Sequence, residues 1–122
     1  MNKPIVVILG ASIKPERYAN KAQRLLMQKG YTVIPVHPQQ KEIEGVSVVK
    51  KLSDIAEQVD TVTLYLNPKV SQEIAGDLIA LKPRRVIFNP GSESPELESL
   101  LKQQGVLVEQ ACTLVLLGTG QF

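Results

Sequence analysis

Short apolar runs rich in β-branched residues alternate along the chain with longer stretches in which apolar positions recur every three or four residues. PIVVIL at residues 4–9 is continuously apolar, as strands buried on both faces tend to be. From Tyr18 the period changes: Tyr18, Ala22, Leu25, Leu26 and Lys29 share one helical face, and Gly30 closes that helix. YTVIPV (31–36) predicts a second strand. A turn region centred on Gly45 leads to a short β-branched piece at 46–49, and Ser53 caps a short helix reaching Gln58, with Leu52, Ile55 and Val59 inward. TVTLYL (61–66) is the next strand. Asn67-Pro68 then starts a helix with a capping side chain and a proline at its first position, and Val70, Ile74, Leu78 and Leu81 form its buried stripe. VIF (86–88) is a strand, and Ser94-Pro95-Glu96 repeats the cap-then-proline start, with Leu97, Leu100 and Leu101 inward and Gly105 at the end. VLV (106–108) is the last strand, followed by an apolar tail segment at 111–117.

Strands alternating with helices of this length predict a mostly parallel sheet covered on both faces, an α/β, Rossmann-like three-layer domain. No repeat, linker or low-complexity tract interrupts the series, so residues 1–122 are expected to form a single domain. In such folds ligands sit beyond the carboxyl ends of the strands, where the strand order reverses. That directs attention to four loops: residues 10–18, 37–41, 67–68 and 89–94.

The first loop has one of the three glycines of a dinucleotide fingerprint. Gly10 permits a sharp turn and close approach of a ligand, the N–H groups around Ala11 and Ser12 and at the next helix start can face an anion, and Ser12 adds a hydroxyl. Lys14 and Arg17 add positive charge, while Pro15 delays the helix, which suits a bulky diphosphate. The second strand ends Val36-His37-Pro38 with no acid to hold ribose hydroxyls, which disfavours NAD. Asn89-Pro90-Gly91-Ser92-Glu93-Ser94 offers an amide, a flexible glycine and hydroxyls between a strand end and a helix start. His37, the one histidine, has no evident nucleophile or orienting partner and reads as a strand-end residue beside a ribose or adenine, or as a plain loop residue. Cys112 lies in an apolar context and reads as a buried, inert thiol. No catalytic constellation and no metal-ligand spacing is evident.

Composition changes this picture little. A formal charge of +2 with scattered Lys and Arg gives no nucleic-acid track, and the pairs Lys50-Lys51 and Arg84-Arg85 read as solvated ends of elements. No stretch approaches the roughly 20 apolar residues of a membrane span. The first apolar run lacks a small-residue cleavage site and ends in the glycine that opens the turn, so a buried strand explains it better than a signal peptide. A single cysteine fits a reducing cytoplasm.

The ordered set Gly10-Ala11-Ser12-x-x-Pro15-x-Arg17, Gly30-Tyr31-x-Val33-x-Pro35-Val36-His37-Pro38, Glu42-Ile43-Glu44-Gly45, Val59-Asp60, Asn89-Pro90-Gly91-Ser92-Glu93 and Ala111-Cys112-Thr113-Leu114-Val115-x-Leu117 resembles the short single-domain CoA-binding proteins. These are related to the CoA-binding Rossmann domain of the succinyl-CoA synthetase alpha subunit. The resemblance implies coenzyme A or an acyl-CoA as ligand. It implies Gly10, Ala11, Ser12, Lys14, Pro15 and Arg17 at the phosphates, His37 and Pro38 at the adenosine end, Leu66 and Asn67 along the groove, and Asn89, Pro90 and Gly91 on the pantetheine side. His37 stands where the family more often has asparagine, and Tyr18-Ala19-Asn20 where a hydroxyl residue often follows the arginine. The chain has neither the ATP-binding module nor the phosphorylatable histidine of a synthetase. The expected function is therefore a non-catalytic CoA-binding module, a sensor, carrier or partner of another protein. The alternatives are a small enzyme acting on CoA thioesters through His37 or Cys112, and an NAD(P)-binding Rossmann protein. A homodimer through residues 115–117, or packing of that segment on its own sheet, is expected of the apolar tail.

Overall fold

The computed structural model describes residues 4–122. In chain order the elements are β1 (Ile5–Leu9), α1 (Tyr18–Gln28), β2 (Thr32–Val36), β3 (Glu42–Ile43), β4 (Val46–Ser47), a 3₁₀ turn (Leu52–Asp54), β5 (Thr61–Leu64), α2 (Pro68–Glu73), α3 (Ala75–Leu81), β6 (Arg85–Phe88), α4 (Pro95–Gln103), β7 (Leu107–Gln110) and α5 (Thr113–Gly118). Five strands form one parallel sheet in the order β2-β1-β5-β6-β7, and β3 and β4 form a separate antiparallel hairpin.

Alternation along the strands divides the core in two. Val7, Leu9, Val62, Leu64, Val86 and Phe88 pack with Leu52, Leu78, Leu97 and Leu101 on one face, beneath the 3₁₀ turn, α3 and α4. Val6, Ile8 and Val33 pack with Ala19 and Leu26 of α1 and Leu117 of α5 on the other. The result is the expected α/β sandwich of helices on a parallel sheet. Both long connections end as the glycines predict. Gly30 (φ 89°) donates its N–H to Met27 O while Tyr31 donates to Leu26 O, and Gly105 (φ 80°) and Val106 repeat the pair with Lys102 O and Leu101 O.

The departures have physical causes. In α1 the buried positions are Ala19, Asn20, Ala22, Gln23 and Leu26, whereas Tyr18 is 67% exposed. The face is turned because two polar side chains bury against backbone: Gln23 donates to Ile43 O (2.9 Å) and Asn20 to Ser12 O (2.9 Å). The helix expected after Ser53 is one 3₁₀ turn, since Ile55 is already extended (φ −82°, ψ 119°) on the way to β5. The helix after Asn67 breaks at Ile74 (φ −105°, ψ 9°), leaving Val70 outside the stripe, and Leu100 is likewise exposed. Arg85 is no solvated end: it is buried in β6, donating to Thr61 Oγ1 and to Glu109, with its guanidinium 4.6 Å from the Phe122 ring centre. The apolar tail is α5, whose Leu117 packs on the molecule's own sheet while Val115 stays exposed.

Candidate functional site

The strand order reverses between β1 and β5, since the chain passes from β1 to β2 on one side and returns to β5 on the other. The loops leaving β1 and β5 part there and open a crevice. Gly10 (φ 91°) lies against the β5 loop so closely that a Cβ would sit 3.0 Å from Leu66 Cδ2 and 3.1 Å from the Tyr65 carbonyl carbon and oxygen. Ala11 N–H donates to Val36 O (3.2 Å), so this amide, expected to face an anion, serves the fold.

Beyond Ala11 the loop is braced from α1. Ser12 Oγ accepts from Lys14 N–H (3.1 Å), Asn20 holds Ser12 O, and Arg24 donates to Pro15 O (2.8 Å) and to Asn20 Oδ1 (2.8 Å). Glu44 of the β3–β4 turn accepts from Asn20 as well (3.2 Å). The bracing leaves the Lys14 and Arg17 side chains exposed at the start of α1. That start has no side-chain cap and no acid in its first turn, whereas Asn67 caps α2 through Val70 N–H (3.1 Å) and Ser94 caps α4 through Leu97 N–H (3.3 Å). Uncapped N–H groups at a helix start, backed by the helix dipole and two cations, favour an anion.

Three adjoining chambers line this edge. The first, about 430 Å³, is mostly apolar and is bounded by Val36, His37, Pro38, Leu52, Leu66 and Ile74, with Lys50, Lys51 and Asp77 also on its wall. The second, about 340 Å³, is the polar one, with Gly10, Ser12, Lys14, Arg17, Tyr18 and Pro90. The third, about 420 Å³, is apolar again, with Tyr18, Asn89, Pro90, Cys112, Leu114 and Val115. Tyr65 borders all three. Burial pushes its hydroxyl pKa up, against the Thr63 and Thr113 hydroxyls beside it. A larger hollow of about 550 Å³ lies at the opposite edge, where Arg84 clasps Asp60 through two bonds of 2.7 and 3.1 Å.

The expected site residues divide accordingly. Gly10, Ala11, Ser12, Lys14, Arg17, His37, Pro38, Leu66, Asn89 and Pro90 border the chambers. Pro15, Asn67 and Gly91 do not line them: Pro15 O takes Arg24, Asn67 caps α2, and Gly91 (φ 93°) donates its N–H to Glu93 (2.8 Å). Asn89 is buried and committed to the scaffold, donating to Thr63 Oγ1 (2.7 Å) and Leu64 O (3.0 Å) and accepting from Thr113 N–H (2.9 Å). His37 Nδ1 accepts from the Gln39 and Gln40 N–H groups (3.0 and 3.1 Å), closing its own turn. Cys112 is half-buried on the third chamber, where a fully buried thiol was expected. Tyr65, Lys50 and Lys51 are additions. Tyr65 hid inside an apolar run, and the lysines become wall residues only because Val49 bridges to Val36.

Residues 5–118 match the family described as CoA binding domain. The chain belongs to that family. A crystal structure of an uncharacterized protein superposes on it with a TM-score of 0.93 and 40% identity over 100% of both chains. The uncharacterized protein YneT of Bacillus subtilis (strain 168) is 24% identical over 100 residues, 82% of this chain and 74% of its own. Acetyl-coenzyme A synthetase 1 (dinucleotide forming) of Ca. Korarchaeum cryptofilum, solved with phosphate and ADP, matches 90% of this chain with 26% of its own, at a TM-score of 0.77 and 20% identity. That likeness is one of fold. Among the described residues of this CoA binding domain, no helix is long and apolar enough to cross a membrane, and no group of three or more His, Cys, Asp or Glu is placed to hold a metal ion.

Proposed function

We propose that this chain binds coenzyme A, free or acylated, as a non-catalytic module that serves as a sensor, carrier or partner of another protein. The observation that carries this reading is the sequence of chambers: apolar, then cationic, then apolar, joined at Gly10, Tyr65 and Pro90. Coenzyme A has that order of parts, a purine, a diphosphate and a long uncharged arm ending in a thiol or thioester. The adenosine lies by His37, Pro38 and Leu66. The diphosphate meets the uncapped start of α1 with Ser12, Lys14 and Arg17, and the arm runs past Tyr65 and Pro90 toward Cys112. The non-catalytic part rests on His37, whose Nδ1 is occupied by its own turn, and on Asn89, whose amide is committed to β5 and to the start of α5.

Calorimetric titration with coenzyme A, dephospho-coenzyme A, NAD and NADP tests the ligand. Saturable binding of coenzyme A above the dinucleotides is expected, and no heat with any of the four overturns the reading. Incubation with acetyl-coenzyme A tests the module. The thioester should persist; turnover that vanishes in His37→Ala or Cys112→Ser would make the protein an enzyme instead.

A further inference from the structure

We infer that Lys50 and Lys51 form a subsite for a ribose monophosphate and thereby select coenzyme A over its dephospho form. This rests on the coenzyme A reading. Val49 donates its N–H to Pro35 O (3.0 Å) and accepts from His37 N–H (3.1 Å), a single parallel bridge at the outer edge of β2. The bridge delivers the next two residues to the carboxyl edge of the sheet, on the wall of the chamber that His37 and Pro38 also border. Both lysines are exposed, and among the described residues the ion pairs are Arg84–Asp60 and Arg85–Glu109, so neither lysine is neutralised by one.

The chamber behind them is mostly apolar, a surrounding that suits a purine ring. Asp77 is the one acid on its wall, and as an acceptor it suits a ribose hydroxyl or a purine amino group rather than a phosphate. Gly10 separates this chamber from the one holding Lys14 and Arg17. The edge therefore carries two cationic places, one on each side of the position assigned to the ribose. Coenzyme A has two phosphate groups so arranged, the 5′-diphosphate and the 3′-monoester. The 2′-monoester of NADP is the same chemistry from another source.

The test is calorimetry of the intact chain and of Lys50→Ala, Lys51→Ala and the double variant. The ligands are coenzyme A, dephospho-coenzyme A, adenosine 3′,5′-bisphosphate, AMP, NADP and NAD. Each substitution should weaken coenzyme A and the bisphosphate by roughly tenfold, the size of one charge-assisted hydrogen bond, and leave dephospho-coenzyme A and AMP unchanged. The double variant should lose the preference altogether. Equal losses for phosphorylated and dephosphorylated ligands, or no loss, would overturn the subsite, with unfolding curves of the variants confirming an intact fold. Equal wild-type affinity for coenzyme A and its dephospho form overturns the subsite and leaves the coenzyme A reading standing. NADP binding above coenzyme A, with the same dependence on the lysines, keeps the subsite and overturns the coenzyme A reading. Binding of none of the ligands overturns both.

Discussion

Two residues show how closely side-chain chemistry and backbone geometry are tied here. Gly10 combines a positive φ with contact too tight for a Cβ, and the nearest atoms include backbone of Tyr65 that cannot step aside. Gly10→Ala should therefore cost about 1–3 kcal/mol of unfolding free energy in urea titration and weaken ligand binding by displacing the Ser12–Arg17 loop. Asp60 tests electrostatics at the other edge. Its carboxyl is held below its ordinary 3.8, chiefly by the hydrogen bond from Arg84 and against the opposing effect of burial. A carboxylate with a depressed native pKa stabilises the fold above its unfolded value, and loses that contribution as the pH falls through the native one. Melting curves from neutral pH to below 3.8 should show the loss, and Arg84→Met should flatten it. With Arg84 more than half exposed, the pair is worth about 1 kcal/mol at most.

Among the elements, α5 is tied to the sheet through its first residue, Thr113. Asn89 joins β5, β6 and the first residue of α5, and Thr113 Oγ1 meets Thr63 Oγ1 at 2.7 Å behind it. Asn89→Ala leaves buried donors and acceptors unpaired and should cost about 2–3 kcal/mol, read from chemical denaturation. Ser94→Ala removes a cap from α4 and should cost about 1 kcal/mol while leaving ligand affinity unchanged. The Ser94 cap was readable in advance, as were the glycine stops at Gly30 and Gly105, because each follows from local chemistry that the residue type announces. The role of Asn89 was not. An asparagine before Pro-Gly reads as a loop amide open to a ligand, and only the folded neighbours of β6 reveal that its amide points inward. The same limit hid the true face of α1, where Asn20 and Gln23 bury although apolar periodicity would leave them outside.

At the scale of the whole molecule, the parallel sheet and its ligand edge follow from alternating periods and from the topology that such a pattern allows. What escaped the sequence is how loops distant along the chain share that edge: Lys50 and Lys51 need the Val36–Val49 bridge, and the third chamber needs α5 to fold back beside Tyr18. If coenzyme A binds the native fold alone, a hundredfold excess over its dissociation constant should add about 2.7 kcal/mol of stability, seen as a rise in melting temperature that shrinks with salt. The placement of Tyr65 has a practical corollary. The chain has no tryptophan and three tyrosines, and two of them, Tyr18 and Tyr65, border the chambers while Tyr31 packs edge-on against Phe122. Its ultraviolet emission therefore comes largely from the walls of the groove, so occupancy can be followed optically on the unlabelled protein. Substituting Tyr31 by Phe would leave a signal that originates in the groove alone.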